Sequence, residues 1–227
     1  MNEGTASASP GFQAASDEDF DPAALEAGRK LFAQECTFML GVVALDGLPE
    51  EGPAEIAFAG RSNVGKSSLL NALTNQKGLA RASNTPGRTR EINYFDLGGR
   101  LRLVDLPGYG YARASRSDSE RWMKLTRAFL RGRAALRRVC VLIDSRHGLK
   151  PSDIDILDML DESAVNYQIV LTKTDKIKPT ALAGLLKALG PKVVRRPAAH
   201  PFAHATSSEK GAGLALLRAD LAMLAEQ

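Results

Sequence analysis

The sequence predicts an α/β fold: a mixed, mostly parallel sheet of six or seven strands with helices on both faces. Three observations carry this. The short apolar run Ile56 to Ala59 ends in Gly60-Arg61-Ser62-Asn63-Val64-Gly65-Lys66-Ser67, a GxxxxGKS pattern, and passes at once into the helix-forming Ser68-Leu69-Leu70-Asn71-Ala72-Leu73. Strand-like and helix-periodic runs then alternate to the end of the chain, as parallel strands joined by crossover helices must. Finally, Gly98-Gly99 separates the strand-like runs Ile92 to Leu97 and Leu101 to Val104, predicting a hairpin and therefore one antiparallel edge.

Taken in order, residues 1–21 are rich in Ser, Ala, Gly and acids, with no Lys or Arg before Arg29, and read as a disordered acidic extension. Residues 22–227 read as one domain. Asp21 is a candidate N-cap, with Pro22 at the first helical position of a run to Phe32. Phe38 to Val43 is a candidate edge strand, and Leu79 to Arg90 a polar, exposed loop. Helices are expected over Asp118 to Arg131, Ser152 to Glu162, Thr180 to Leu189 and Leu214 to Glu226. Strands are expected over Val139 to Ile143, Gln168 to Leu171 and a short stretch near Phe202 to Ala205. Trp122, Leu125 and Phe129 share helical spacing and are candidate core.

At 227 residues the chain can bury a full α/β core. No apolar run approaches the roughly 20 residues of a membrane span, and the start lacks a basic, apolar leader, so a cytoplasmic protein with no membrane association is expected. Cys36 and Cys140 show no metal spacing and are expected as free thiols.

The chemistry lies at predicted strand ends, where open α/β sheets bind ligands. In the GxxxxGKS loop, Gly60 and Gly65 permit torsions that let successive N–H groups turn around an anion, and the following helix aims its N-terminal dipole there. Lys66 supplies charge for β- and γ-phosphates and Ser67 a hydroxyl for Mg²⁺. With Arg61, Ser62, Asn63, Val64 and Ser68, these residues line the nucleotide loop. Asp105-Leu106-Pro107-Gly108 follows the second hairpin strand; its carboxylate suits Mg²⁺ and the Gly108 N–H a γ-phosphate. Thr172-Lys173-Thr174-Asp175 is a TKxD variant of the guanine motif NKxD: Asp175 accepts from guanine N1–H and its 2-amino group, and the Lys173 stem covers the base. Thr206-Ser207-Ser208 offers a backbone N–H to guanine O6, or equally caps the turn before the last helix.

The order GRSNVGKSS, TPGRT (Thr85 to Thr89), DLPGYGYA (Asp105 to Ala112), TKTD and TSS resembles the translation-factor-related GTPases. More narrowly, it is similar to the EngB/YihA family of bacterial ribosome-biogenesis GTP-binding proteins, over roughly Glu35 to Ala225. The resemblance implies a Ras-like P-loop GTPase fold, GTP and GDP as ligands, Mg²⁺, and a monomer partnered by the large ribosomal subunit precursor and its rRNA. It makes Thr89 the loop threonine that completes Mg²⁺ coordination with Ser67 and Asp105, beside Gly87 and Arg88. Lys66, Thr89, Gly108 and Asn63 become the residues of the hydrolysis step. Where Ras-like proteins carry a water-positioning glutamine, this chain has Tyr109, so slow unaided hydrolysis is expected. Asn63 either holds K⁺ beside the phosphates or simply tightens the loop. Where the family often has Phe-Ser-Ser, this chain has Thr206-Ser207-Ser208.

The basic residues Arg113, Arg116, Arg121, Lys124, Arg127, Arg131, Arg133, Arg137 and Arg138 face only two acids between Tyr109 and Arg138, a candidate RNA-phosphate surface or a solvated helix face. Lys192, Arg195 and Arg196 form a smaller one. The competing readings are a ribosome-assembly switch, a protein-binding GTP sensor with little hydrolysis, and a tRNA-modification GTPase, the last disfavoured by the lack of an attached modification domain.

Overall fold

A computed structural model describes residues 12–80, 91–110 and 116–226, with side chains from 122 onward in the last stretch. Seven strands form one sheet in the order β1-β3-β4-β2-β5-β6-β7. They are β1 (Cys36–Val42), β2 (Ala54–Gly60), β3 (Ile92–Leu97), β4 (Leu101–Asp105), β5 (Leu136–Asp144), β6 (Tyr167–Thr172) and β7 (His204–Ala205). Pairing is antiparallel between β1, β3 and β4 and parallel from β4 through β2, β5 and β6 to β7. The hairpin turn puts both Gly98 (φ 59°) and Gly99 (φ 67°) in the left-handed region, which a two-residue turn of matching twist demands.

Strand residues alternate between two cores. Ala57, Val139, Val141, Ile143, Ile169 and Leu171 pack beneath α3 (Arg116–Gly132), α4 (Pro151–Glu162) and α5 (Pro179–Val193). Ile56, Phe58, Cys140, Leu142 and Val170 meet α1 (Pro22–Phe32), α2 (Lys66–Leu73) and α6 (Leu214–Leu224). Burial on both faces explains why the central strands read as continuous apolar runs. Trp122 and Phe129 are core and Leu125 packs against it, as the helical spacing predicts. Asp21 caps α1 by accepting the Ala24 N–H at 2.7 Å. Arg218 of α6 caps the far end of α2, donating to the carbonyls of Leu73 (2.9 Å) and Ala72 (2.8 Å). Helix α5 runs four residues beyond the expected Leu189, through Pro191, because the buried Val193 still has core to meet.

The acidic extension needs correction. Residues 12–20 are not disordered: Ala15 N–H donates to Ala203 O (2.7 Å), and Ala203 N–H to Gln13 O (2.9 Å), a single parallel bridge that ties the segment to the residue before β7. Phe12 and Phe20 are buried, and Phe20 stacks on His204. Composition hid this because two aromatic anchors and an edge strand in need of partners outweigh an otherwise polar run.

Candidate functional site

Strand register brings the motifs to one edge. Phe58 lies opposite Asp105, Gly60 opposite Leu142, Asp144 opposite Thr172, and Leu171 opposite Ala205. The loops after β2, β4, β5, β6 and β7 therefore leave the sheet side by side.

The loop from Gly60 to Lys66 turns through two left-handed residues, Asn63 (φ 63°) and Gly65 (φ 108°), before α2 begins. Val64 is buried and anchors the loop in the core. Lys66 Nζ contacts the Asp105 carboxylate, so the candidate phosphate-binding cation and the candidate Mg²⁺ ligand meet at one point. Ser67 and Ser68 open α2 beside it. A serine hydroxyl and a carboxylate are hard oxygen donors, suited to Mg²⁺ that shares its remaining positions with phosphate oxygens and water. At the other end of α2, the Asn71 side chain grips both the N–H (2.8 Å) and carbonyl (3.1 Å) of Ala80, fixing the entry to the next loop.

The Asp105 to Gly108 loop packs on the phosphate loop. Leu106 N–H donates to Phe58 O at 3.0 Å, and Pro107 leads into Gly108. A Cβ on Gly108 would sit 3.2–3.3 Å from Ser62 atoms, a backbone approach that favours glycine. Tyr109 N–H donates to Gly60 O (3.3 Å) and its carbonyl accepts from Ser62 N–H (3.1 Å). Its side chain turns inward, stacks on Trp122 and donates its hydroxyl to Asp153 Oδ1 at 2.9 Å. Burial, then Asp153, pushes this phenol well above its ordinary pKa.

The base side is tied to the phosphate side through Thr172 and Lys173. The Thr172 hydroxyl donates to Val64 O at 2.7 Å, and Lys173 Nζ donates to Asn63 O at 2.6 Å and to Asp144 at 2.9 Å. Burial works against charge on Asp144, but Arg146 and Lys173 hold its carboxyl well below the usual range. Sequence reasoning left Asp144 out of the site; the available signal is its place at the carboxyl end of an apolar strand. Thr174 bonds Thr206 O through its N–H (3.2 Å) and hydroxyl (3.0 Å). The Ser207 hydroxyl donates to Asp175 Oδ1 at 2.5 Å and is the main reason that carboxyl lies below its ordinary pKa. Thr206 N–H is spent on Leu171 O and Ser207 N–H on Ala212 O, leaving Ser208 N–H without a partner among the described residues. Thus the phosphate loop, DLPG, TKTD and TSS segments form one constellation. Gly87, Arg88 and Thr89 lie outside the described residues, as does the rest of the segment 81–90.

A family model described as a 50S ribosome-binding GTPase matches residues 55–173. A probable GTP-binding protein EngB from Rhodospirillum rubrum is 58% identical over 222 residues, covering 95% of this chain and 96% of that protein. One from Caulobacter vibrioides is 57% identical over 206 residues, covering 91% and 90%. The chain belongs to the EngB family of GTP-binding proteins. A crystal structure of a probable EngB matches with TM-score 0.57 and 25% identity over 76% of this chain and 99% of that one. Era bound to GDP and aluminium fluoride, from Aquifex aeolicus, shares the fold at TM-score 0.58 and 22% identity, over 76% of this chain and 57% of that one. EngB membership makes this a GTP-binding protein with a GTPase domain. Among the described residues, no helix is long and apolar enough to cross a membrane.

The expected basic surface is smaller than its sequence suggests. Half-buried Arg133 pairs with the buried Glu55 at 2.6 Å, and buried Arg138 with Asp220 at 2.8 Å. Arg127 and Arg131 share Glu162, each at 3.9 Å. Arg196 is likewise spent on Asp158 (2.8 Å) and Asp161 (2.7 Å). Lys124, Arg137, Lys192 and Arg195 are exposed. Arg113, and the side chains of Arg116 and Arg121, fall outside the description.

Proposed function

We propose that the protein is a GTP-driven switch in assembly of the large ribosomal subunit, working as a cytoplasmic monomer on the subunit precursor and its rRNA. The observation that carries this reading is the matched family model, whose description names 50S ribosome binding and whose span takes in the phosphate loop and DLPG. Lys66 neutralises the β- and γ-phosphates, and Ser67, Asp105 and Thr89 hold Mg²⁺. Gly108 N–H meets the γ-phosphate; Asp175 reads guanine, with the Lys173 stem over the base and Ser208 N–H at O6. With its γ-phosphate gone, GDP leaves Thr89 and Gly108 without that partner, and the loops relax. Unaided turnover is slow because the residue after Gly108 is a tyrosine bonded into the core, and Asn63 provides a place for K⁺ to supply the missing positive charge. The same buried tyrosine favours a second reading, a GTP sensor with little hydrolysis that binds a protein.

GTP turnover in K⁺ and in Na⁺, with and without purified large subunits, separates these. The assembly switch requires preferential binding of its GTP form to subunits and faster turnover on them. Indifference to subunits in both nucleotide states favours the sensor, and equal rates in the two salts remove Asn63 from the K⁺ role.

A further inference from the structure

Asp153, in the first turn of α4, lies outside every motif that identifies the nucleotide site, yet it is fully buried. It touches two separate pieces of that site's scaffold and the start of its own helix. Its Oδ1 accepts the Tyr109 hydroxyl at 2.9 Å and lies 3.4 Å from Arg61 Nε in the phosphate loop. Its Oδ2 accepts the Lys150 N–H at 2.7 Å, which fixes the carboxylate on the helix start. A buried carboxylate is costly unless it is paired and hydrogen-bonded, and here two donors supply the hydrogen bonds while Arg61 supplies only a nearby charge, its Nε making no hydrogen bond.

The consequence falls on Gly108. Its successor Tyr109 is held on both sides by backbone bonds to Gly60 and Ser62 and, through its hydroxyl, by Asp153. Gly108 itself lies against Ser62. We propose that Asp153 is a positioning residue for GTP: through Tyr109 and Arg61 it sets the Gly108 N–H in register with the phosphate loop. This rests on the reading that Gly108 N–H meets the γ-phosphate. Since GDP lacks that group, loosening the clamp weakens GTP binding selectively.

Asp153→Asn keeps the shape but is unable to serve the site. With its single oxygen on the Lys150 N–H, the amide turns an uncharged NH₂ toward the Tyr109 hydroxyl and Arg61 Nε, which reverses the Tyr109 bond and removes the charge that faces Arg61. Tyr109→Phe keeps the ring on Trp122 and removes only the hydroxyl. Affinities for GDP and for a non-hydrolysable GTP analogue, measured by calorimetry on the full chain, test the proposal. Each variant is expected to bind the analogue about tenfold more weakly, a change of about 1.4 kcal/mol, while GDP affinity stays within about twofold, and the double variant is expected to match the singles rather than add to them. A purely structural role would lower melting temperature and shift both nucleotides together; that result, additive losses, or no loss overturns the proposal. If Asp153→Asn does not fold, Tyr109→Phe carries the test alone. Gly108→Ala separates the two levels. Selective loss of the analogue there, with none in Tyr109→Phe, refutes the clamp. Equal loss of both nucleotides refutes the Gly108 reading and the clamp with it.

Discussion

Replacing Thr172 by Val probes the link between the base-side motif and the phosphate loop with almost no change of shape. Thr172 is 3% exposed, and its hydroxyl donates to Val64 O at 2.7 Å; the alternative acceptor, Ile143 O, is farther at 3.4 Å. Valine removes the donor and leaves the Val64 carbonyl with no partner among the described residues. A buried acceptor stranded in this way costs about 1–3 kcal/mol. Lys173 still holds the neighbouring Asn63 carbonyl at 2.6 Å, so the loop keeps one tether and the lower part of that range applies. If about 1–2 kcal/mol falls on the liganded loop, nucleotide affinity drops about 5- to 30-fold, since 1.4 kcal/mol is tenfold. GDP and a GTP analogue should lose equally, because the loop faces phosphates that both share. Thr172→Ser should restore most of the loss, and titration with a fluorescent nucleotide measures all of these. A folded Thr172→Val that binds GDP within twofold of the parent, or that weakens only the analogue, would refute the reasoning.

Two further outcomes follow from the segment and network around β7. Phe20→Ala removes an 8%-exposed ring that stacks on His204 (centroids 6.2 Å) and meets Phe202 edge-on (6.4 Å). The loss should be about 3 kcal/mol, or roughly 6–12 °C in melting temperature for a chain of this length, with nucleotide affinity unchanged; an unaltered melt would mean that the segment does not pack. Burial, with Arg138 adding to it, pushes His200 down from 6.5 to about 4. The unfolded chain therefore takes up the proton first, and stability should fall as pH drops from 6.5 towards 4. Asp220 adds a second loss below this: burial raises its carboxyl, but His204 and Arg138 outweigh that and hold it at about 2, so its contribution fades as pH falls from 3.8 towards 2. Thermal melts against pH should show His200→Gln flattening only the upper limb, and an equally steep upper limb in the variant would remove His200 from the account.

Much of the site was readable from the chain because its chemistry is local. GxxxxGKS between a strand and a helix, DLPG after a hairpin and TKTD after an apolar strand each carry their backbone context within a dozen residues. Two-sided alternation placed them all at one sheet edge. What sequence reading missed was pairing at a distance. Arg133 and Arg138 look like surface charge until Glu55 and Asp220, at separations of 78 and 82 residues, pair with them. Phe12 and Phe20 look like stray aromatics in a polar tail until the segment between them, through Gln13 and Ala15, bonds to Ala203 beside β7. Tyr109 is visible as a departure from glutamine, but its inward turn depends on Asp153, 44 residues later. Short motifs with their local backbone context were enough to read the fold class and a guanine-nucleotide chemistry from the chain, and the order of those motifs carried the resemblance to the family. Only the tertiary structure decided which charges remain free and which residues hold the loops, because a side chain's protonation, burial and direction depend on neighbours that folding brings from elsewhere in the chain.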